Sequence, residues 1–191
     1  MSFPTVFFDR DDTLNIDPGY LSDPELVELF DGVGEGIAKL KSNFGFKIVV
    51  ISNQSGVARG FFTRREVDSV NERINQILLK KNNVRIDAFY YCPFHPDFSS
   101  AENSKCRKPS PLMVFKAAEE MDLDLSKSYF VGDKLSDIEC GINAGLKTVL
   151  INYKNKSNLF SNKNGIFMVD NFSNACDFII ADYSGGKFFV E

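Results

Sequence analysis

Short apolar runs recur along the chain, separated by polar turns and by stretches with helical spacing. Thr5–Phe8 is a compact apolar run that predicts a first strand, and Phe46–Ile51 is almost continuously apolar, as in a strand buried on both faces. Ile86–Tyr91, Ser128–Val131, Lys147–Ile151 and Ile166–Val169 predict further strands. Gly34–Lys41 carries Ile37 and Leu40 at helical spacing. Thr63–Leu79 places Val67, Val70, Ile74, Ile77 and Leu78 on one stripe, behind a Thr63/Glu66 capping box. Ser110–Met121, with Pro111 in its first turn, and Ser136–Ala144, ending at Gly145, predict two more helices. Asn152–Asn164 is rich in Asn, Lys and Ser and reads as a surface loop, and Asp177–Ile180 as a short final element. Alternating strands and helices predict an α/β fold with a doubly wound parallel sheet.

Composition narrows the function classes. The 191 residues are 43% apolar and 25% charged, which suits one domain over residues 1–191 with a substantial core. A net charge of −4 without a basic block offers nothing to a nucleic acid. No apolar stretch is long enough to cross a bilayer, and no secretory signal pattern opens the chain, so no membrane association and a cytoplasmic setting are expected. Cys92, Cys106, Cys140 and Cys176 show neither CxxC spacing nor a dense framework, so reduced thiols are expected, with Cys140 in the core.

Polar clusters follow the strands. Asp9, Asp11 and Thr13 come after the first and Ser52-Asn53-Gln54-Ser55-Gly56 after the second. Arg107 and Lys108 come after the third and its loop, and Gly132-Asp133-Lys134 with Asp137 after the fourth. In a parallel sheet these ends share one edge, where open α/β sheets bind ligands. Strand alternation would point Asp9 and Asp11 the same way. Asp9, Asp11 and Asp133 supply hard oxygens for Mg²⁺, the Ser52 turn supplies a hydroxyl and N–H groups for phosphate oxygens, and Lys108 and Arg107 supply positive charge. That mixture suggests phosphoryl transfer.

Asp9-x-Asp11-x-Thr13, Ser52, Lys108 and Gly132-Asp133-x-x-x-Asp137 resemble the four motifs of the haloacid dehalogenase superfamily of phosphatases. The longer strings are Phe8-Asp9-Arg10-Asp11-Asp12-Thr13-Leu14-Asn15, Asp17-x-Gly19-Tyr20, Ser52–Gly60, Cys106-Arg107-Lys108-Pro109 and Val131–Lys134. They resemble the D-glycero-D-manno-heptose 1,7-bisphosphate phosphatases, and the histidinol-phosphate phosphatases are similar at the same places. The resemblance implies a Rossmann-like core, with Asp9 as nucleophile and Asp11 as acid and base. It implies Mg²⁺ held by Asp9, the Asp11 carbonyl and Asp133, and Ser52 and Lys108 on the phosphoryl group. It places Asp17, Gly19, Tyr20, Asn53, Arg107 and Lys134 at the substrate, although Tyr20 also fits ordinary packing and Lys134 a solvated surface. Asp137 would support the metal loop or cap the following helix. The heptose reading implies a step toward activated heptose for bacterial surface polysaccharide, and a monomer acting on a small phosphorylated sugar.

Two departures stand out. Asp12 replaces the family's usual Gly and is expected to point away from the site, leaving activity intact. The zinc loop that many members carry, Cys-Pro-His-His-Pro followed by Cys-x-Cys-Arg-Lys, reads here Cys92-Pro93-Phe94-His95-Pro96 and Ser104-Lys105-Cys106-Arg107-Lys108. Closed structural zinc wants four N or S ligands, so no structural zinc is expected, with Phe94 packing against Phe98 instead. The intervals between motifs leave no room for a large cap domain. A receiver-like phospho-accepting module is the reading from another class. It would place its acceptor Asp after the third strand, where this chain has Tyr91-Cys92-Pro93.

Overall fold

The computed structural model describes residues 2–153 and 166–186. In chain order its elements are β1 (Thr5–Phe8), α1 (Val33–Phe44), β2 (Lys47–Asn53), α2 (Arg64–Asn82), β3 (Ala88–Cys92), α3 (Ala101–Ser104), α4 (Leu112–Met121), β4 (Tyr129–Gly132), α5 (Leu135–Asn143), β5 (Lys147–Ile151), β6 (Ile166–Val169) and α6 (Phe172–Tyr183). The strands form one parallel sheet in the order β3-β2-β1-β4-β5-β6. The order reverses at β1, so the crevice between its two neighbours opens at the C-terminal edge, where the doubly wound reading puts the ligand.

Alternate residues of the strands feed two cores. Val6, Phe8, Ile48, Val50 and Val131 pack with α1, α2 and α6, while Phe7, Val49, Ile51 and Phe130 pack with α4 and α5. Phe7 and Phe8 are both fully buried, each stabilising by roughly 1.5–3 kcal/mol relative to exposure. Phe8 stacks on Phe172 with ring centroids 5.0 Å apart, which seats α6 over the centre of the sheet.

Most elements fall where periodicity predicts them, and β1 matches residue for residue. The Thr63/Glu66 capping box opens α2, and Lys80 and Lys81 lie in its last turn, where their charge complements the helix dipole. The buried face of α2 is broader than its apolar stripe, because Asn71 and Asn75 are buried with it while Ile77 is only half-buried. Asn75 accepts from the Ile86 backbone N–H at 2.8 Å, tying the approach to β3 onto the helix. The short final element is in fact the twelve-residue α6, capped by Asn171, whose side chain accepts from Asn174 N at 2.8 Å. Polar Ser173 and Asn174 hide its first turn from a hydrophobicity pattern. Beyond Asn152 and Tyr153, the expected Asn-rich loop lies outside the described residues.

Candidate active site

β1 ends at Phe8, and Asp9 extends its pairing by one bond, its N–H donating to Val131 O at 2.9 Å. The chain then turns: Leu14 N and Asn15 N donate to Arg10 O at 2.8 and 3.2 Å, and Asp12 takes a φ of 61°. Asp9 and Asp11 therefore reach the same cavity through a loop and not through strand alternation, which corrects the sequence-based geometry. At Asp12 the left-handed turn is one that Asp tolerates better than most residues. Its carboxylate accepts from Asp17 N at 3.3 Å and lies 3.7 Å from Lys134 Nζ, and it lines a neighbouring cavity with Asp133 and not the one that holds Asp9.

The centre of the site is a buried charge array. Lys108 Nζ lies 2.7 Å from Asp9 Oδ1 and 2.7 Å from Asp137 Oδ1, and donates to Ile51 O at 2.7 Å. Asn53 holds the lysine in place: its Oδ1 accepts from Lys108 N at 3.0 Å, and its Nδ2 donates to Lys108 O at 3.2 Å. Asn53 lines the cavity, but its amide clamps the Lys108 backbone. Asp137 Oδ2 accepts from Lys134 N at 3.0 Å, closing the start of α5. Gly132 is required there, because a Cβ would come within 2.4 Å of Asp137 Cβ. Asp133 accepts from Thr13 Oγ1 at 3.2 Å and pairs with Lys134 Nζ at 3.3 Å. Asp137 thus has a partner that the motif reading did not assign, the lysine itself. Only the fold brings residues 29 positions apart into that contact.

Burial, reinforced by the Asp137 charge, pushes the Asp9 carboxyl up to about 7 against the pull of Lys108. Burial, with Asp137 and Asp12, also raises Asp133 against Lys134. Burial alone would favour a neutral Lys108, but Asp137 and Asp9 outweigh it and hold the ammonium charged. Asp11 goes the other way. Burial would raise it, but Arg10 and its hydrogen bonds keep it below the usual carboxylate range.

Asp9, Asp133 and Asp137 each offer an oxygen within 4.8 Å of the others. This all-oxygen set with surplus negative charge fits Mg²⁺. Asp9 and Asp133 fit as its ligands, whereas both Asp137 oxygens already meet Lys108 or the Lys134 backbone. The Asp11 carboxylate is engaged elsewhere, which leaves only its main-chain carbonyl for the metal.

Asp133 lines a neighbouring cavity with Asp12, while Asp9, Asp11, Lys108 and Asp137 open into one of about 300 Å³, also lined by Asp17, Tyr20, Arg107 and Lys134. Ser52 is buried beneath it, with Gln54 Nε2 3.4 Å from its Oγ. Asp17 Oδ1 accepts from Gly19 N and Leu21 N, both at 3.0 Å, and Gly19 has a φ of 102° that L side chains avoid. Gly19 thus shapes the loop that carries Tyr20, whose ring meets Phe61 edge-on at 4.8 Å. Arg107 Nη1 is buried without a hydrogen-bond partner, and burial together with neighbouring Arg59 lowers the arginine's proton affinity. A cation in that state is ready for an anion.

The loop after β3 departs from the sequence reading. Cys92 and Cys106 are joined in a disulfide, with Cα atoms 5.6 Å apart, where free thiols were expected. Neither sulfur then offers a thiolate. His95 Nε2 lies 3.2 Å from Arg59 Nη2. Phe94 and Phe98 take different neighbours: Phe94 packs against the core cluster next to α4, and Phe98 lies 4.7 Å beneath Arg59. Cys140 is buried as expected, and so is Cys176.

The chain is similar to known proteins along most of its length. A family model described as HAD-hydrolase-like matches residues 105–173. The D-glycero-beta-D-manno-heptose-1,7-bisphosphate 7-phosphatase of Yersinia pestis is 40% identical over 153 residues, covering 78% of this chain and 80% of that protein. The Chlorobaculum tepidum D-glycero-D-manno-heptose-1,7-bisphosphate 7-phosphatase is 43% identical over 159 residues, covering 78% and 79%. Among solved structures, the D,D-heptose 1,7-bisphosphate phosphatase of B. bronchiseptica, complexed with magnesium and phosphate, aligns with a TM-score of 0.79 at 25% identity. That alignment covers 94% of this chain and 99% of the other. Identity at this level and coverage, on a sheet edge built as described, leaves one conclusion: the chain belongs to the D-glycero-D-manno-heptose 1,7-bisphosphate 7-phosphatase family of haloacid dehalogenase-type phosphatases.

Proposed function

We propose that this protein removes the C7 phosphate of D-glycero-D-manno-heptose 1,7-bisphosphate in a Mg²⁺-dependent reaction through an aspartyl-phosphate on Asp9. The observation that carries the reading is the buried Asp9–Lys108–Asp137 array, opening beside Asp11 into a cavity rimmed by Arg107 and Lys134. Bound between Asp9, Asp133 and the Asp11 carbonyl, Mg²⁺ supplies charge that offsets repulsion between carboxylate and phosphate.

An Asp9 oxygen attacks phosphorus, and the bond from phosphorus to the sugar oxygen breaks. Asp11, ionised while Arg10, Asn15 and Gln54 all donate to it, must first take up a proton from solvent in place of one of these bonds. It then gives that proton to the sugar oxygen, which leaves as an alcohol. In the second step Asp11 takes a proton from water, the water oxygen attacks phosphorus, and the bond to Asp9 breaks. Lys108 and Ser52 hold the phosphoryl oxygens as charge develops. Arg107, Lys134 and Tyr20 face the rest of the substrate, and Asp17 and Gly19 hold the loop beneath Tyr20. The protein works as one phosphatase domain over residues 1–191, a reading supported by the gathering of the named groups at one edge of one sheet, and as a monomer.

The test is phosphate release with Mg²⁺ from the heptose bisphosphate and from histidinol phosphate at equal concentration, with phosphorus NMR to identify the phosphate lost. A large preference for the bisphosphate with loss at C7 is expected. Preference for histidinol phosphate overturns the substrate, and release from neither overturns the reading.

A further inference from the structure

The acid and base of the proposed reaction is held from outside the cavity. Asp11 accepts from Arg10 Nε at 3.0 Å and Nη2 at 2.9 Å, from Asn15 Nδ2 at 3.1 Å and from Gln54 Nε2 at 2.8 Å. The two arginine bonds form a fork that fixes the plane of the carboxylate as well as its position. Arg10 is itself fully buried, where a guanidinium needs partners for its donors. Its Nη1 donates to Asn71 Oδ1 at 3.0 Å, across 61 positions of sequence. Asn71 is 6% exposed on the buried face of α2, among Val67, Val70 and Ile74. A polar side chain on such a face is costly unless it has a partner, and its partner is the far end of the arginine that grips Asp11. Asp11 and Gln54 line the cavity, whereas Arg10 and Asn71 stand behind it.

We infer that Arg10 and Asn71 are positioning residues that fix the Asp11 carboxylate in place at the edge of the phosphate cavity for proton transfer, Asn71 acting through Arg10. The inference rests on the function proposed above and extends it to two residues which that mechanism does not use. A long arginine with one end free could sample several rotamers, and Asn71 removes that freedom. Lysine could not replace the fork, because an ammonium is a point charge.

The test compares two leaving groups on the full-length enzyme. A sugar oxygen needs a proton as it leaves, whereas p-nitrophenolate does not. Because kcat/KM covers the steps up to transfer onto Asp9, it isolates proton delivery. Asn71→Leu keeps the volume and removes the acceptor, and Asn71→Asp keeps the acceptor. We expect Asn71→Leu to lower kcat/KM for the heptose bisphosphate about tenfold or more, through kcat, and to leave p-nitrophenyl phosphate within about threefold. Asn71→Asp should stay within about threefold of wild type on both, and Arg10→Lys should show the same selectivity with a larger loss. Equal losses on the two substrates, or no loss in either Asn71→Leu or Arg10→Lys, overturns the inference. If Asn71→Leu does not fold, Asn71→Ala and Arg10→Lys carry the same comparison. If wild type cleaves p-nitrophenyl phosphate but not the heptose bisphosphate, the proposed substrate falls, and the comparison passes to an alkyl phosphate that is cleaved. Equal losses there defeat the positioning role alone.

Discussion

At the C-terminal edge of the strands, Lys108 lies between Asp9 and Asp137, with its side chain 1% exposed and theirs 8% and 0%. At the N-terminal edge, Asp87 lies between Lys41 and Lys47, with side-chain exposures of 19%, 25% and 35%. The residue types are the same and the physics is opposite. Charges in the open are screened, and such pairs are worth about 0–1 kcal/mol. Asp87 contributes mainly by accepting from Ile48 N at 2.7 Å, which sets the start of β2. Charges out of water cost several kcal/mol each before their attraction offsets it, so a buried array is weak evidence for stability. The array at the C-terminal edge also carries more negative charge than positive, a state that suits a divalent cation and a phosphoryl group. One edge anchors the sheet, and the other keeps charge desolvated for chemistry.

Substitutions that separate the two edges sharpen this contrast. The largest effect is expected from Asp9→Asn, which removes the nucleophile: turnover should fall roughly 10⁴-fold or more while the thermal midpoint stays within a few degrees. Substantial residual turnover would reject the nucleophile assignment. Stripping Mg²⁺ with a chelator should bring phosphate release to background, and added Mg²⁺ should restore it, as followed in a continuous phosphate assay. Lys108→Met keeps the bulk but leaves Asp9 and Asp137 facing each other unpaired. It should destabilise the metal-free protein by roughly 3–5 kcal/mol in urea unfolding and lower kcat as well. At the opposite edge, Asp87→Asn keeps an acceptor for Ile48 N and loses only screened charge. It should cost about 0–1 kcal/mol by the same urea measurement and leave kcat and KM unchanged. A loss at Asp87 as large as that at Lys108 would erase the distinction between the edges.

The helix carrying Asn71 shows where reading the sequence stops. Val67, Val70, Ile74 and Leu78 announce the buried stripe of α2, and Thr63 with Glu66 announces its start, since both signals lie within a few residues. Asn71 lies on the same face but looks like any polar interruption, because its meaning depends on Arg10 in a loop 61 positions away. Gln54 was legible only as part of a polar turn, and its bond to Asp11 was not. Cys92 and Cys106 likewise show no pairing in their spacing, and they meet because β3 and the segment before Lys108 both return to the sheet edge.

The amino-acid sequence by itself determined the alternation of strands and helices, the edge on which the polar clusters gather and the motif residues Asp9, Asp11, Ser52, Lys108 and Asp133. Periodicity, capping and motif spacing are carried by near neighbours or by fixed strings. Tertiary structure alone decided that Lys108 sits between two carboxylates, that Arg10 reaches Asn71 and grips Asp11, and that the motif-one loop, not the pleat of β1, aims Asp9 and Asp11. Those arrangements join residues far apart in the chain and depend on which side chains are taken out of water together, a property of the packed molecule and of no local segment.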